Sequence, residues 1–228
     1  MSSISLKRGE SAALDGSVYD LTEVHIGLGW DVRDNGTSRP TGKLLGKLFR
    51  ADRNSGYDLD IIAFLLDKKN TIANLGENRE SKDGRVLPLV GSDVVHFNNL
   101  THPSGTVVHT GDNTTGQGEG DDEQIVVKLT ELPGEYERIL FLACIYQGEQ
   151  RGQHFGMVEN AFIRALDRNG QEMVRYNLSD EPEYNQRRSM VFGEVYRRIG
   201  GTWRFKAIGE AYTSDSFVDI MRDYVFLE

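Results

Sequence analysis

Asn160-Ala161-Phe162-Ile163-Arg164-Ala165-Leu166, then Asp167-Arg168-Asn169-Gly170, then Glu172-Met173-Val174-Arg175-Tyr176 decide the fold class. Two short apolar-rich runs flank a tetrad that ends in Asn-Gly, a pair that turns readily, and together they read as a β-hairpin. A second pair of the same kind follows. Val191-Phe192-Gly193-Glu194-Val195-Tyr196 and Trp203-Arg204-Phe205-Lys206-Ala207-Ile208 flank a turn at Gly200-Gly201. Upstream, Val24–Trp30 alternates before Asp31, and Leu59–Leu66 reads as a buried strand running out of Asp58. Asp93–Phe97 ends at Asn98-Asn99, Ile125–Leu129 forms another run, and Ile139–Tyr146 looks buried on both faces. So many short strands at regular spacing predict a mainly β chain, a β-sandwich of two mostly antiparallel sheets. The last segment differs. Phe217, Ile220, Met221 and Tyr224 fall at helical spacing, so a short C-terminal helix is expected over 214–224, capped by Ser214 or Asp215.

The chain has 228 residues and a net charge of −9. That length gives a real core. No linker or internal repeat divides it, so a single domain over 1–228 is expected. The acidic balance argues against a nucleic-acid partner, which calls for a basic surface. Cys144 is the only cysteine and sits inside an apolar run, so it reads as a buried, inert thiol. The N-terminus has no apolar signal core and no run reaches membrane-spanning length, so a cytoplasmic protein that does not itself span a membrane is expected.

Gly111-Asp112-Asn113-Thr114-Thr115-Gly116-Gln117-Gly118-Glu119-Gly120-Asp121-Asp122-Glu123 concentrates five carboxylates in a glycine-rich loop. Two carboxylates about 4 Å apart repel by roughly 4 kcal/mol at an effective dielectric near 20. Two readings are open: a solvated acidic turn, or a site for a cation. Oxygen donors without nitrogen or sulfur suit a hard ion, and a flexible multi-oxygen shell suits Ca²⁺ better than Mg²⁺. The loop is not an EF-hand. Counting from Asp112 brings Glu123 to the last position, but Gln117 stands where glycine is required, and the flanks read as strands. It is not a phosphate-binding loop either, because its carboxylates would repel phosphate. Other oxygen groups lie at strand ends: Asp31, the pair Asp58 and Asp60 two apart on one face, and Asn98-Asn99. Strand ends of a sandwich often meet at one edge, where these groups would join the loop.

The same residues carry a family resemblance. Gly27-Leu28-Gly29-Trp30-Asp31, Tyr57-Asp58-Leu59-Asp60, Phe97-Asn98-Asn99, Val107–Asn113 and Gly116–Ile125 resemble signature blocks of the TerD family of tellurium-resistance and stress proteins. The match continues through Glu149–Gly156, Asn160–Arg164, Arg175–Leu178, Val191–Tyr196 and Trp203–Gly209. The resemblance implies a β-sandwich that binds Ca²⁺, with two ions close together. It implies the ligand candidates Asp31, Asp58, Asp60, Asn98, Asn99, Asp112, Asn113, Glu119, Asp121, Asp122 and Glu123, with carbonyls near Thr114, Gly116 and Gly118. It also implies a role in resistance to tellurite and other chemical stress, beside membrane-embedded and soluble partners of the same kind.

Two segments are longer than the family pattern, near 32–57 and 67–91, and read as loop insertions. Within the first, Lys43–Arg50 has the pattern of a short basic amphipathic helix, either a cover on the sandwich or a docking face for an acidic partner or membrane surface. An enzymatic alternative, a metal-dependent hydrolase or a small-ligand-binding protein using the same acidic site, has little behind it. The five histidines include no His-Glu-x-x-His pair, and there is no Gly-x-Ser-x-Gly elbow. The sequence therefore favours a non-enzymatic Ca²⁺-binding protein whose acidic loop orders on the ion and presents a surface to a partner.

Overall fold

The computed structural model describes residues 3–32, 58–111, 121–178 and 182–225. Along the chain run β1 (Ile4–Leu6), β2 (Ser11–Leu14), β3 (Val24–Val32), β4 (Leu59–Asp67), β5 (Glu77–Glu80), β6 (Val86–Val90), β7 (Val94–Val95), β8 (Val107–His109) and β9 (Glu123–Val127). Then follow β10 (Tyr136–Ile145), α1 (Gly148–Arg151), β11 (Val158–Leu166), β12 (Glu172–Asn177), β13 (Ser189–Arg197), β14 (Trp203–Tyr212) and α2 (Phe217–Met221). One six-stranded sheet has the order β1-β12-β11-β3-β9-β8 and the other the order β2-β14-β13-β10-β4-β7. Every pairing is antiparallel except β1 with β12. The fold is the mainly β sandwich that the strand pattern implies, closed by a short C-terminal helix.

The turn at 167–170 forms as its residues dictate. Asp167 Oδ1 accepts the N–H groups of Asn169 and Gln171, and Gly170 takes φ +78°. An aspartate that binds the backbone two residues on, followed by a glycine free to adopt positive φ, is a turn with a mechanism.

The two sheets enclose one core. Ile26 and Leu28 of β3, Ile61 and Leu65 of β4, Phe141 of β10, Phe192 of β13 and Phe205 of β14 all lie in it. A second apolar layer lies on the far side of the second sheet. Ile62, Phe64 and Leu66 of β4, with Leu140, Leu142 and Cys144 of β10, meet Ile220 and Met221 of α2 there. β4 and β10 are therefore buried on both faces, which is why Ile61–Leu66 and Ile139–Ile145 within them are continuous apolar runs rather than alternating ones. Cys144 is 3% exposed, and burial pushes its thiol pKa up to about 12. It is the inert thiol expected.

Local expectations change in four places. The strand expected over 93–97 pairs only at Val94–Val95, because His96 and Asn99 bridge each other and turn the chain back. The helix starts at Phe217 after an N-cap at Ser216 with no side-chain cap. Ser214 Oγ accepts the Ser216 N–H, and Asp215 accepts the Glu149 N–H instead. The stretch 67–91 is not only loop: it carries the β5–β6 hairpin. β1, β2 and β8 escape the sequence reading, being only three or four residues long. The Lys43–Arg50 segment lies outside the described residues. Among those described, no helix is long and apolar enough to cross a membrane.

Candidate functional site

The register brings one set of strand ends together. β3 runs antiparallel to β9 with Leu28 opposite Glu123, and β11 starts beside the end of β3 with Glu159 opposite Asp31. β8 ends at His109 opposite Ile125. In the other sheet, Leu59 and Asp60 at the start of β4 lie opposite Ile145 and Cys144. A hydrogen bond ties the two sheets at this end: the Ile61 N–H of β4 donates to Glu123 Oε2 of β9 at 2.6 Å. Gly111 and Asp121, the described residues that flank the segment 112–120, lie at this end. The expected ligands Asp112, Asn113, Thr114, Gly116, Gly118 and Glu119 belong to that segment and lie outside the described residues, and nothing of the Asp31 side chain is described.

The three consecutive carboxylates that close the loop point in three directions. Asp121 turns onto the outer face of the first sheet. Its Oδ1 takes Arg164 Nε at 2.7 Å and its Oδ2 takes Gln124 Nε2 at 2.9 Å. The carboxylate occupies the space over Gly27, where any Cβ would overlap it. Asp122 stays in the plane of the sheet. Its N–H bonds Leu28 O and its Oδ2 accepts the Trp30 N–H at 3.1 Å, so the side chain continues the β3–β9 ladder where the backbone diverges. Glu123 points between the sheets and is 2% exposed. His109 Nδ1 accepts the Gly111 N–H, so the ring proton sits on Nε2, 3.8 Å from Glu123 Oε2. A buried carboxylate is stable only with such donors around it.

Asp58 and Asp60 are also buried, 9% and 6% exposed. Asp60 alternates with Leu59 and Ile61, which places it on the face of β4 that also carries Ile62 and Phe64. Asp60 and Asp215 both add to the burial that raises the Cys144 pKa, so these three share that face near α2. Asn99 is 6% exposed and holds its turn: Oδ1 accepts the Gly91 N–H and Nδ2 donates to Val94 O at 2.7 Å. Asn98 is half-buried beside it, its N–H directed at His96 Nδ1. His96 is fully buried; burial and the neighbouring His109 lower its pKa to about 4.

The carboxylates thus share one end of the sandwich but spread across its thickness, from the outer face of one sheet to that of the other. Among the described residues no three His, Cys, Asp or Glu side chains converge into a metal-binding group. Sequence reasoning missed Arg164 and Gly27, which hold Asp121, and the bond from Ile61 to Glu123. The one cue available was the small residue at 27 in a strand, which marks close approach of another group.

Comparison with known proteins places the chain. A family model described as the TerD domain matches residues 1–224. A tellurium resistance protein TerX from Serratia marcescens is 45% identical over 223 residues, covering 98% of this chain and 100% of the relative. General stress protein 16U from Bacillus subtilis is 33% identical, covering 92% of this chain and 91% of the relative. A crystal structure of a homologue of telluride resistance protein (TerD) from Streptomyces coelicolor shares the fold at 22% identity with a TM-score of 0.55, covering 86% of this chain and 94% of that one.

Proposed function

This chain belongs to the TerD domain family of tellurium-resistance and stress-response proteins, and on that premise we propose that it is a non-enzymatic Ca²⁺-binding protein whose acidic loop orders on the ion. The observation that carries this reading is the Ile61–Glu123 bond. It fixes the start of β4, with Asp58 and Asp60, beside the point where the oxygen-rich 112–120 segment returns to the sheet. The donors that this segment and the neighbouring strand ends carry in sequence are carboxylate, amide, hydroxyl and carbonyl oxygens, a set that fits a hard cation.

The residues divide the work. Asp112, Asn113, Thr114, Glu119 and the carbonyls at Gly116 and Gly118 would supply the loop part of the oxygen shell, for two ions. Asp58, Asp60, Asp122 and Glu123 would supply the fixed part, with Asp31, Asn98 and Asn99 at the margin. Asp121, with both oxygens already hydrogen-bonded, would anchor the end of the loop and approach the ion last. Bound Ca²⁺ would neutralise the repulsion within the loop and stabilise the folded state by about 2.7 kcal/mol at a hundredfold excess over Kd. The ordered loop would then present a surface to cytoplasmic or membrane-embedded partners of the same resistance system.

Calorimetric titration of metal-stripped protein tests the reading. Saturable Ca²⁺ binding near two equivalents, much weaker Mg²⁺ binding and a raised Tm are expected. No heat and no thermal shift would make the loop a solvated turn. Capture of the same partners with and without Ca²⁺ would remove the presentation step while leaving ion binding intact.

A further inference from the structure

Away from the acidic end, Asp93, His102 and Ser104 form a line. Asp93 is 1% exposed and His102 3% exposed, while Ser104 lies on the surface in the turn before β8. His102 Nε2 is 3.2 Å from Asp93 Oδ1, and His102 Nδ1 is 2.7 Å from Ser104 Oγ. The proton positions follow from one contact. The Ser104 backbone N–H, which can only donate, points at His102 Nδ1 at 3.2 Å. Nδ1 is therefore the unprotonated nitrogen, and Nε2–H faces Asp93. Since Nδ1 carries no proton, the bond at 2.7 Å must be donated by the Ser104 hydroxyl. Thr106 Oγ1 lies 2.6 Å from Ser104 Oγ and, with that proton already directed at His102, acts as the donor.

Asp93 is held for this task. Tyr136 Oη donates to Oδ1 at 2.8 Å, the Asn74 N–H donates to Oδ2 at 2.9 Å, and the Tyr136 ring packs edge-on against His102 at 5.1 Å. Burial alone would raise the Asp93 pKa, but the bonds from His102, Tyr136 and Asn74 outweigh it and keep the carboxylate ionised. A hydroxyl donating to a neutral imidazole, whose other nitrogen is fixed by a buried carboxylate, is the arrangement that activates a serine.

We propose that Ser104 is a nucleophilic serine that takes an acyl group from an activated ester or thioester, with His102 as general base and Asp93 as the residue that positions it. In the step, Ser104 Oγ bonds to the acyl carbon and its proton passes to His102 Nδ1. The bond from that carbon to the leaving oxygen or sulfur breaks, and the leaving group departs with the proton from Nδ1. Neighbouring amides offer no oxyanion site, because Gly105 N–H is bound to His102 O and Thr106 N–H to Ser104 Oγ. The reaction is therefore a stoichiometric modification rather than a fast turnover.

The test is p-nitrophenyl acetate on the intact chain, followed by peptide mapping. About one p-nitrophenolate per chain is expected, with the acetyl group on Ser104. Ser104→Ala should abolish it, and His102→Gln should slow it by about a hundredfold. Because His102→Gln alters a buried site, ¹⁵N spectra of the unaltered chain give an independent reading: His102 should be the neutral Nε2–H tautomer. Acetylation scattered over the surface, an unchanged rate in Ser104→Ala, or a His102 proton on Nδ1 would each overturn the proposal.

Discussion

The outer faces of the two sheets solve the same problem in opposite ways. On the second sheet the outer face is apolar, and α2 with the turn after it covers it: Phe64 meets Phe217 and Tyr224 with ring centroids 6.4 and 6.1 Å apart. On the first sheet the outer face is charged. Arg164 and Arg175 stand directly opposite each other, a repulsive pairing on its own. Glu172 lies 3.1 Å from Arg164 and 3.5 Å from Arg175, and Asp121 takes the other side of Arg164. The Phe162 ring lies under both guanidinium groups, with Arg175 3.5 Å from its centroid. One face is stabilised by burial and is indifferent to detail; the other depends on particular partners, and one of those partners closes the acidic loop. The candidate ion site is thereby joined to the specific face.

Breaking each face separates these modes. The largest effect is expected on the apolar side. Phe64→Ala should cost about 4 kcal/mol in urea unfolding, the range for a fully buried aromatic. A loss under about 1 kcal/mol would mean that α2 is not packed as described. Gly27→Ala should cost about 3 kcal/mol, because the new Cβ pushes the Asp121 carboxylate off its donors Arg164 and Gln124. Adding Asp121→Ala should recover part of that loss; if the double variant is worse than Gly27→Ala alone, the close approach is not the cause.

Asp121→Ala by itself should cost about 2 kcal/mol, less than a fully buried pair, since Arg164 retains Glu172 and some solvent. It should also leave the number of bound Ca²⁺ ions unchanged, whereas Asp58→Asn should weaken Ca²⁺ binding at least tenfold with little change in apo stability. Calorimetry on both variants sharpens the division between loop anchor and ion ligand. If Asp121→Ala removes an ion outright, the anchor is a ligand after all.

The smallest effect is one of pH. Asp93 has a folded pKa below its ordinary 3.8, so its contribution to stability is complete above that value and is lost as pH falls through the lowered one. In acid titrations of stability, Asp93→Asn should flatten this low-pH segment. An unchanged profile would assign the acid sensitivity to other carboxylates.

Several of these features were legible in the residues. The hairpin at 167–170 was, because aspartate, asparagine and glycine bias a turn locally. The double burial of β4 and β10 was, because the six apolar residues of Ile61–Leu66 and the eight of Ile139–Tyr146, each in succession, leave no polar face. The acidic loop and the strand-end aspartates were visible as a common chemistry. β1 and β2 were not, because strands so short gain their stability from the neighbour that they pair with. Nor was the fate of Asp121, Asp122 and Glu123.

The sequence by itself determined a β-sandwich with a terminal helix, an acidic glycine-rich loop and the family to which they belong. These follow from hydrophobic periodicity, turn chemistry and motif order, all of which act between near neighbours along the chain. Only the tertiary structure decided that three adjacent carboxylates serve an arginine, a strand edge and the gap between sheets, and that Ser104 donates to a histidine held by Asp93. Such roles depend on partners brought from as far as 92 residues away, as Trp30 is to Asp122, and the fold alone sets where each carboxylate finds its donor.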